Sequence, residues 1–452
     1  MAIVIAAASS DAGKTTITLA ILAALRQRGL RIQSFKVGPD YIDPMFHQAA
    51  TGIACRNLDP FLTSESYVRQ CFRHHSQGKD GVVIEGVMGL FDGTPQAEQV
   101  DFASTAHMAR LLDCPIVLVI NGAKIGHSVA ALLYGLIHYD PRLTIAGVIL
   151  NQVGSPRHAE ILQGAVQSLG LPCLGTFFRT PDISLPSRHL GLVPVGELAG
   201  FAPLLDRLAC LAETALDWDL LHPLIRQMPE PDAPPWSDLD PSTIEPLQSS
   251  RLQIGVAWDR ACNFYYADTL DLLRWLGAEL HFFSPLQVGL APSQTLDGLY
   301  LGGGFPEIFA RELSQSLQRS FHKSQMPIYA ECGGLIMLGE TLTNQAGESY
   351  PMAGRLPLQT KMTSKLTLGY RRACSLRPTI VVEANDRFNG HEFHHCQSLP
   401  TPTDPIYTWS GRQEGWTRAQ IHASYLHLHW GAQPELGIRY LQACVRAREL
   451  NP

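Results

Sequence analysis

Ala8-Ser9-Ser10-Asp11-Ala12-Gly13-Lys14-Thr15-Thr16 closes an apolar run at residues 2–8 and opens a helical pattern. The Walker A pattern is Gly, any four residues, then Gly-Lys-[Ser/Thr]. Here Ala8 stands at the first glycine and the remainder fits. Backbone N–H groups of such a loop curl round phosphates, a lysine adds positive charge, and the hydroxyl after it reaches Mg²⁺. Ser10, Asp11, Ala12, Gly13, Lys14, Thr15 and Thr16 are therefore the candidate ATP-binding residues, and Thr15 a candidate Mg²⁺ ligand. An accidental helix start is the bland alternative. The context argues against it: a strand precedes the loop, and Ile17, Leu19, Leu22 and Leu25 follow at helical spacing, with Gly29 at the C′ position.

The same alternation continues outward. Residues 32–37, 81–85, 115–120 and 143–150 are further short apolar runs separated by helical patterns. Alternating β and α at this pitch predicts an α/β fold, a P-loop NTPase-type parallel sheet covered on both faces. Such sheets carry their chemistry beyond the carboxyl ends of the strands. Glu85, which ends the run 81–85, is then the natural second metal ligand, against the bland reading of a solvated strand-end glutamate. After the second run comes Lys36-Val37-Gly38-Pro39-Asp40-Tyr41-Ile42-Asp43-Pro44, a stiff polar loop whose two carboxylates suit metal or substrate. Ordinary turn chemistry also favours Asp and Pro there.

At 452 residues the chain is too long for one ordinary domain. Its net charge of −6 carries no basic stripe, so nucleic acid is not an expected partner. No apolar stretch has membrane-spanning length, and Met1-Ala2-Ile3-Val4-Ile5 lacks the basic start of a signal peptide. Ten cysteines without a CxxC pair fit reduced thiols and a cytoplasmic location. Proline and acidic residues accumulate at 228–250, which reads as a linker between a domain at 1–227 and one at 251–452. A fresh α/β pattern begins at Leu252-Gln253-Ile254-Gly255-Val256-Ala257.

The second half centres on Ala330-Glu331-Cys332-Gly333-Gly334, between the apolar run Pro327-Ile328-Tyr329-Ala330 and the helix-like Leu335-Ile336-Met337-Leu338. A cysteine at such a turn is held exposed on a strained elbow, and the helix start beyond it favours the thiolate. A buried structural cysteine is the plainer reading of the motif alone. Two further segments make a constellation. Gly302-Gly303-Gly304 ends a strand and frees N–H groups to aim at one point, as an oxyanion hole requires. Tyr425-Leu426-His427-Leu428-His429 offers two histidines on one strand face, either able to serve as the base for the thiol. His391-Glu392-Phe393-His394-His395 satisfies the letters of the H-E-x-x-H zinc motif. Gly390 before it and Pro400 and Pro402 soon after leave no room for the required helix, so a polar strand or loop is expected.

Together with Glu85-Gly86-Val87-Met88-Gly89-Leu90-Phe91-Asp92-Gly93 and Gly390-His391-Glu392-Phe393-His394, these motifs resemble the cobyrinate a,c-diamide synthase family over nearly the whole chain. These are glutamine-dependent amidotransferases of corrinoid biosynthesis. The resemblance implies a synthetase domain similar to dethiobiotin synthetase, followed by a class I, triad-type glutamine amidotransferase domain. It implies Cys332 as nucleophile, His427 as base with His429 as the alternative, and Gly303, Gly304 and Gly333 around the oxyanion. It implies ATP with Mg²⁺ held at Thr15, Glu85 and Asp43, and the corrinoid substrate near Asp40, Tyr41 and Asp92. The implied partners are ATP, L-glutamine and cobyrinate; the sequence leaves the oligomeric state open, a homodimer being one assembly it allows, and the composition gives no nucleic-acid or membrane partner and a cytoplasmic location. One position departs from the pattern: many such glutaminases carry a carboxylate two residues after the histidine, and here that residue is His429. Cobyric acid synthase, which amidates other side chains, is the nearest competing reading. A P-loop ATPase switch with an inert appended domain is the more distant one.

Overall fold

The computed structural model describes residues 2–94, 99–180, 183, 185–188, 191–198, 200–226, 230–287, 296–320 and 326–450. They divide into two compact units, Met1–Pro60 with Ser64–Pro235, and Trp236–Pro452 with Phe61–Thr63.

The first unit is built on strands β1 (Ile3–Ala7), β2 (Ile32–Val37), β3 (Arg56–Leu58), β4 (Gly81–Glu85), β5 (Ile116–Asn121), β6 (Ile145–Val153) and β7 (Cys173–Phe178). They form one parallel sheet in the order β3-β2-β4-β1-β5-β6-β7. Both faces are covered, so β1 is buried at all five residues, and so are β2 and β4 throughout. The strand order runs outward in both directions from β1, which puts a crevice at its carboxyl end, where the Gly13-Lys14 loop begins. Helix α1 (Lys14–Gln27) follows, and it is buried from Ile17 through Leu25 rather than along one stripe. It packs between the sheet and the helix Phe201–Ala215, so two neighbours take its two sides. Gly29 closes it at φ 77°, its N–H donating to the Arg26 carbonyl at 2.9 Å. The runs expected at 32–37 and 81–85 are β2 and β4, and the other expected runs are strands with ends shifted by a few residues. β3 and β7 were not foreseen; β3 is a three-residue edge strand carrying Arg56 and Asn57. The short pair β8 (Ser187–Arg188) and β9 (Gly191–Leu192) lies outside the sheet.

The stretch 228–250 is not a free linker in its second half, and Met228 and Pro229 lie outside the described residues. Trp236 is buried and donates its indole N–H to the Gly431 carbonyl at 2.6 Å. Pro241–Ser250 is a helix, capped by Asp240, with Pro241 in its first turn and Ile244 and Leu247 in the core. Proline and acidic residues that suggested a linker are here helix-start signals.

Strands β10 (Gln253–Ala257), β11 (Glu279–Phe283), β12 (Gly298–Leu301) and β13 (Ile328–Glu331) begin the second unit. Then come β14 (Thr341–Thr343), β15 (Ser349–Pro351), β16 (Gln359–Ser375), β17 (Arg387–Leu399), β18 (Tyr407–Trp409) and β19 (Arg412–Glu414). The last are β20 (Trp416–Arg418), β21 (Ile421–Ser424) and β22 (His427–Leu428). One sheet has the order β11-β10-β12-β13-β21-β20 and is parallel apart from β20. A second, mainly antiparallel sheet runs β15-β14-β16-β17-β22, with β18 and β19 attached. His391-Glu392-Phe393-His394 lies within β17, paired to β16 on one side and β22 on the other. Extended backbone there rules out the helical zinc pair. Among the described residues no helix is long and apolar enough to cross a membrane.

Candidate active sites

β1 delivers the phosphate loop to the carboxyl edge of the sheet. Asp11 (φ 60°) and Gly13 (φ 89°) are left-handed, and a Cβ at Gly13 would lie 2.1 Å from Asn151 Nδ2. That amide donates to the Ala12 carbonyl at 2.9 Å, so a residue of β6 pins the loop where α1 begins. The first N–H groups of α1 lack intrahelical partners, which suits the loop to an anion. The segment after β4 is tied to the same edge by the Leu90 N–H, which donates to the Ala7 carbonyl at 2.7 Å.

The three candidate metal ligands meet there. Thr15 Oγ1 donates to Glu85 Oε1 at 2.6 Å and lies 3.5 Å from Asp43 Oδ2. Lys36 was given no role by the sequence, yet its Nζ lies 2.7 Å from Asp43 Oδ2 and 3.1 Å from Glu85 Oε1. It also donates to the Gly86 carbonyl at 3.0 Å. The other Glu85 oxygen is 2.6 Å from His47 Nε2. Burial alone would discharge this cluster, and mutual attraction opposes it. Burial pulls Lys36 down, but Asp43 and Glu85 override it and hold the ammonium charged. Burial pushes Glu85 up, but Lys36 and His47 win and keep it well below the usual carboxylate range. Asp43 is pushed up to about 7, by burial first and then by the Asp40 carboxylate. Lys14 donates to the Met88 carbonyl, and its ammonium is lowered by burial and by Lys36. A phosphate is the counter-charge that would reverse this.

The candidate substrate residues border this cluster. Asp40 Oδ1 accepts from the Ile42 N–H at 2.7 Å, at the start of helix α2 (Ile42–Thr51), so part of its role is turn chemistry. Asn57 Nδ2 holds the loop from below by donating to the Gly38 and Asp40 carbonyls at 2.9 and 2.8 Å. Tyr41 is buried; Asp92 is exposed, accepts from the Gly89 N–H at 2.8 Å, and lies near enough to Lys14 to act on its charge.

In the second unit β13 runs into Cys332, whose backbone (φ 47°, ψ −100°) is strained, and the helix Gly333–Leu338 leaves from it. The expected exposure is not found, since Cys332 is 5% exposed. Its N–H donates to the Ser424 carbonyl of β21 at 2.8 Å. The glycines explain how three distant segments close on it. A Cβ at Gly333 would stand 3.0 Å from Gly304 N, one at Gly334 2.2 Å from the Leu301 carbonyl, and one at Gly303 2.9 Å from His427 Cε1. Elbow, glycine strand and imidazole are therefore in van der Waals contact, and each contact needs a missing side chain. Burial pushes the Cys332 thiol well above its ordinary value, and Cys396, Glu307 and Glu331 push the same way. The bond from the Gly333 N–H is the expected helix-start pull, and it is outweighed. At rest Cys332 is a thiol, and a base is required to use it.

His427 lies on β22 opposite His391 of β17, the two rings 5.1 Å apart. Its Nδ1 is 3.3 Å from Glu331 Oε2. The strand ends at Leu428, so the two-residue alternation does not extend to His429. That ring instead lies against Tyr266 at 4.8 Å, with Nε2 3.4 Å from Asp268 Oδ2. Glu331 was missed by the sequence reading; the available signal was an acidic residue inside a buried strand, directly before Cys332.

A cavity of about 670 Å³ in the second unit is lined among others by His394, Cys396, Arg412, Glu414, Trp416 and Tyr425, and Cys396 is near enough to Cys332 to act on its thiol. Glu414 is buried; Oε2 accepts from the Ser424 hydroxyl at 2.6 Å and Oε1 from the Tyr425 N–H at 2.8 Å. Burial outweighs both bonds and pushes its carboxyl up to about 7. Ser424 thus joins the cavity wall to Cys332: its side chain donates to Glu414 and its carbonyl accepts from the Cys332 N–H.

Residues 3–193 match the CobQ/CobB/MinD/ParA nucleotide binding domain, and residues 253–435 match the CobB/CobQ-like glutamine amidotransferase domain. The chain is 52% identical to the cobyrinate a,c-diamide synthase of Gloeobacter violaceus, over 98% of this chain and 97% of that one. It is 48% identical to the protein of the same name from Synechocystis, over 98% and 94% of the two chains. The hydrogenobyrinate a,c-diamide synthase of Streptomyces coelicolor is 39% identical, over 98% and 97%.

Proposed function

The chain belongs to the cobyrinate a,c-diamide synthase family, and on that premise we propose that it moves the amide nitrogen of L-glutamine onto the a and c acetate carboxylates of cobyrinate, consuming ATP. The observation that carries this reading is the pairing of two chemistries in one chain. One unit gathers Lys14, Lys36, Thr15, Glu85 and Asp43 at a phosphate loop, and the other gathers Cys332, His427 and the glycines.

In the second unit His427 takes the Cys332 proton as sulfur attacks the side-chain amide carbon of glutamine. The oxyanion forms beside Gly303, Gly304 and Gly333. His427 then returns the proton to the leaving nitrogen, ammonia departs, and a γ-glutamyl thioester remains until water, deprotonated by His427, releases glutamate. In the first unit a substrate carboxylate oxygen attacks the γ-phosphorus of ATP, giving an acyl phosphate and ADP. Ammonia then displaces phosphate to form the amide. Lys14 and Lys36 supply fixed positive charge where that phosphoryl group moves. Thr15, Glu85 and Asp43 form an all-oxygen set suited to Mg²⁺, and they would hold it. When bound, the ion neutralises phosphate charge. Amidation of the cobalt-free acid is the neighbouring reading, favoured by the Streptomyces relative. Offering cobyrinate and hydrogenobyrinate in parallel, with product read by mass, separates the two: amidation of the metal-free acid alone would contradict the proposal.

The cavity lined by Cys396, Arg412 and Glu414 suits the amino-acid end of glutamine, with Glu414 toward the α-ammonium and Arg412 toward the α-carboxylate. Glu414→Gln should raise the glutamine KM about tenfold, the effect of losing about 1.4 kcal/mol of binding. The sign of the pH effect follows from a raised carboxyl. Glu414 is anionic above about 7 and neutral below it, with Glu392 and Arg412 as its charged neighbours. Between pH 8 and pH 6 the wild-type kcat/KM for glutamine should therefore fall, while the variant shows no such fall from this group. Identical profiles for the two proteins would remove Glu414 from the glutamine site.

Gly303→Ala tests the contact of the glycine strand with the base. Its Cβ would stand 2.9 Å from His427 Cε1, so the imidazole must move. A displacement near 1 Å costs about 10²-fold in rate. Glutamine-driven turnover should drop by that order while ammonia-driven turnover holds, which steady-state assays with each nitrogen source will read.

A further inference from the structure

We infer that Glu331, the residue immediately before the nucleophile, is the positioning carboxylate for His427, replacing an acid two residues after the histidine. This rests on the reading of Cys332 and His427 as a glutaminase pair.

The geometry is specific. Glu331 is 1% exposed, and its two oxygens are occupied differently. Oε1 accepts from the Tyr329 hydroxyl at 2.5 Å and from the Leu428 N–H at 3.3 Å. Oε2 lies 3.3 Å from His427 Nδ1. The carboxylate therefore grips both the imidazole and the backbone of β22, the strand that carries it. Tyr329 lies two residues earlier on β13, so the grip is built into a central strand rather than a loop. With the Nδ1–H donated to Glu331, Nε2 is the unprotonated nitrogen of the ring, the one that can take a proton. His427 Cε1, which lies between the two nitrogens, abuts Gly303, so the ring is held between Glu331 at Nδ1 and the glycine strand at Cε1.

The electrostatics point the same way. A buried carboxylate costs several kcal/mol unless a positive partner or full hydrogen bonding compensates it. Glu331 is also one of the groups that push the Cys332 thiol up, so by itself it opposes the nucleophile. Its placement becomes favourable once the thiol proton sits on His427, because the carboxylate then faces an imidazolium at ion-pair distance. The acid thus assists proton transfer from Cys332 only through the histidine.

The other pairing available, His429 with Asp268, lies against Tyr266 on a different set of contacts, whereas the His427 ring abuts Gly303.

The test is a double-mutant cycle on the full chain with Glu331→Gln, His427→Asn and both together. Glutamate release from glutamine and ammonia-driven amidation are followed separately. Glu331→Gln should lower kcat with glutamine by about 10⁴-fold, the loss found for an acid that orients a catalytic histidine. It should leave the glutamine KM and the ammonia-driven rate within about twofold, and Glu331→Asp should recover part of the loss. In the His427→Asn background, Glu331→Gln should cost nothing further, because the histidine through which it acts is gone. An equal loss in both backgrounds would overturn the inference, as would loss of the ammonia-driven rate, which marks a structural role. Failure of the underlying glutaminase reading looks different: Cys332→Ala would then still release glutamate at the wild-type rate.

Discussion

Cys332→Ala is expected to abolish glutamine-dependent amidation while ammonium salts still drive it. No neighbouring group can replace the sulfur. Cys396 and Cys262, which share its buried cluster, are bonded to Tyr425 and His394 and to the Gly302 carbonyl respectively, and burial pushes each thiol to about 12. Loss of a covalent nucleophile typically costs about 10⁴-fold or more in kcat. The fold should tolerate the change, because alanine keeps the Cβ at a site already surrounded by Gly303, Gly304 and Gly333. Ammonia-driven amidation should stay near the wild-type rate, since in the proposed mechanism the acyl phosphate is made at the phosphate loop. The two nitrogen donors measured side by side check this. Glutamine use by the variant at a normal rate would remove Cys332 from the chemistry.

Lys14→Ala should have the complementary signature: product lost with both glutamine and ammonia. The Lys14 ammonium is lowered by burial and by the nearby Lys36, so in the free protein it carries its charge at a cost that bound phosphate relieves. In the proposed mechanism its removal leaves the γ-phosphoryl group with Lys36, which is already shared between Asp43 and Glu85. Removal of one preorganised charge-stabilising group costs about 10²- to 10³-fold. ADP formation and amide formation should fall together. Unchanged turnover with ammonia would contradict the role of this loop, and loss with glutamine alone would move Lys14 to the wrong half of the reaction.

The two signatures depend on features of unequal legibility. The phosphate loop, β2, β4 and the cysteine elbow were readable because each couples a local pattern to a boundary: an apolar run, then glycines, then helical spacing. Glu85 was readable as a strand-end acid. Lys36 was not, because a lysine in a buried strand is informative only when the carboxylates from α2 and β4 are seen around it. Asn151 and Asn57 were hidden for the same reason, as each acts across sequence separations of 139 and 17 residues. The elbow was expected to be exposed with its thiol eased toward the anion, but the enclosing glycine strand and β21 bury it, and burial prevails. At 228–250 composition misled, since Asp240 and Pro241 start a helix whose Ile244 and Leu247 complete a core. Strand alternation predicted one face for His427 and His429, and the early end of β22 separates their contacts.

The most direct test of the central claim is isotopic. The purified chain is given cobyrinate, ATP, Mg²⁺ and glutamine labelled with ¹⁵N in the side-chain amide, and the corrinoid is read by mass. The predicted product carries two new amides, both labelled, with one glutamate and one ADP released for each. A corrinoid that gains no labelled amide while ATP and glutamine are consumed would contradict the account.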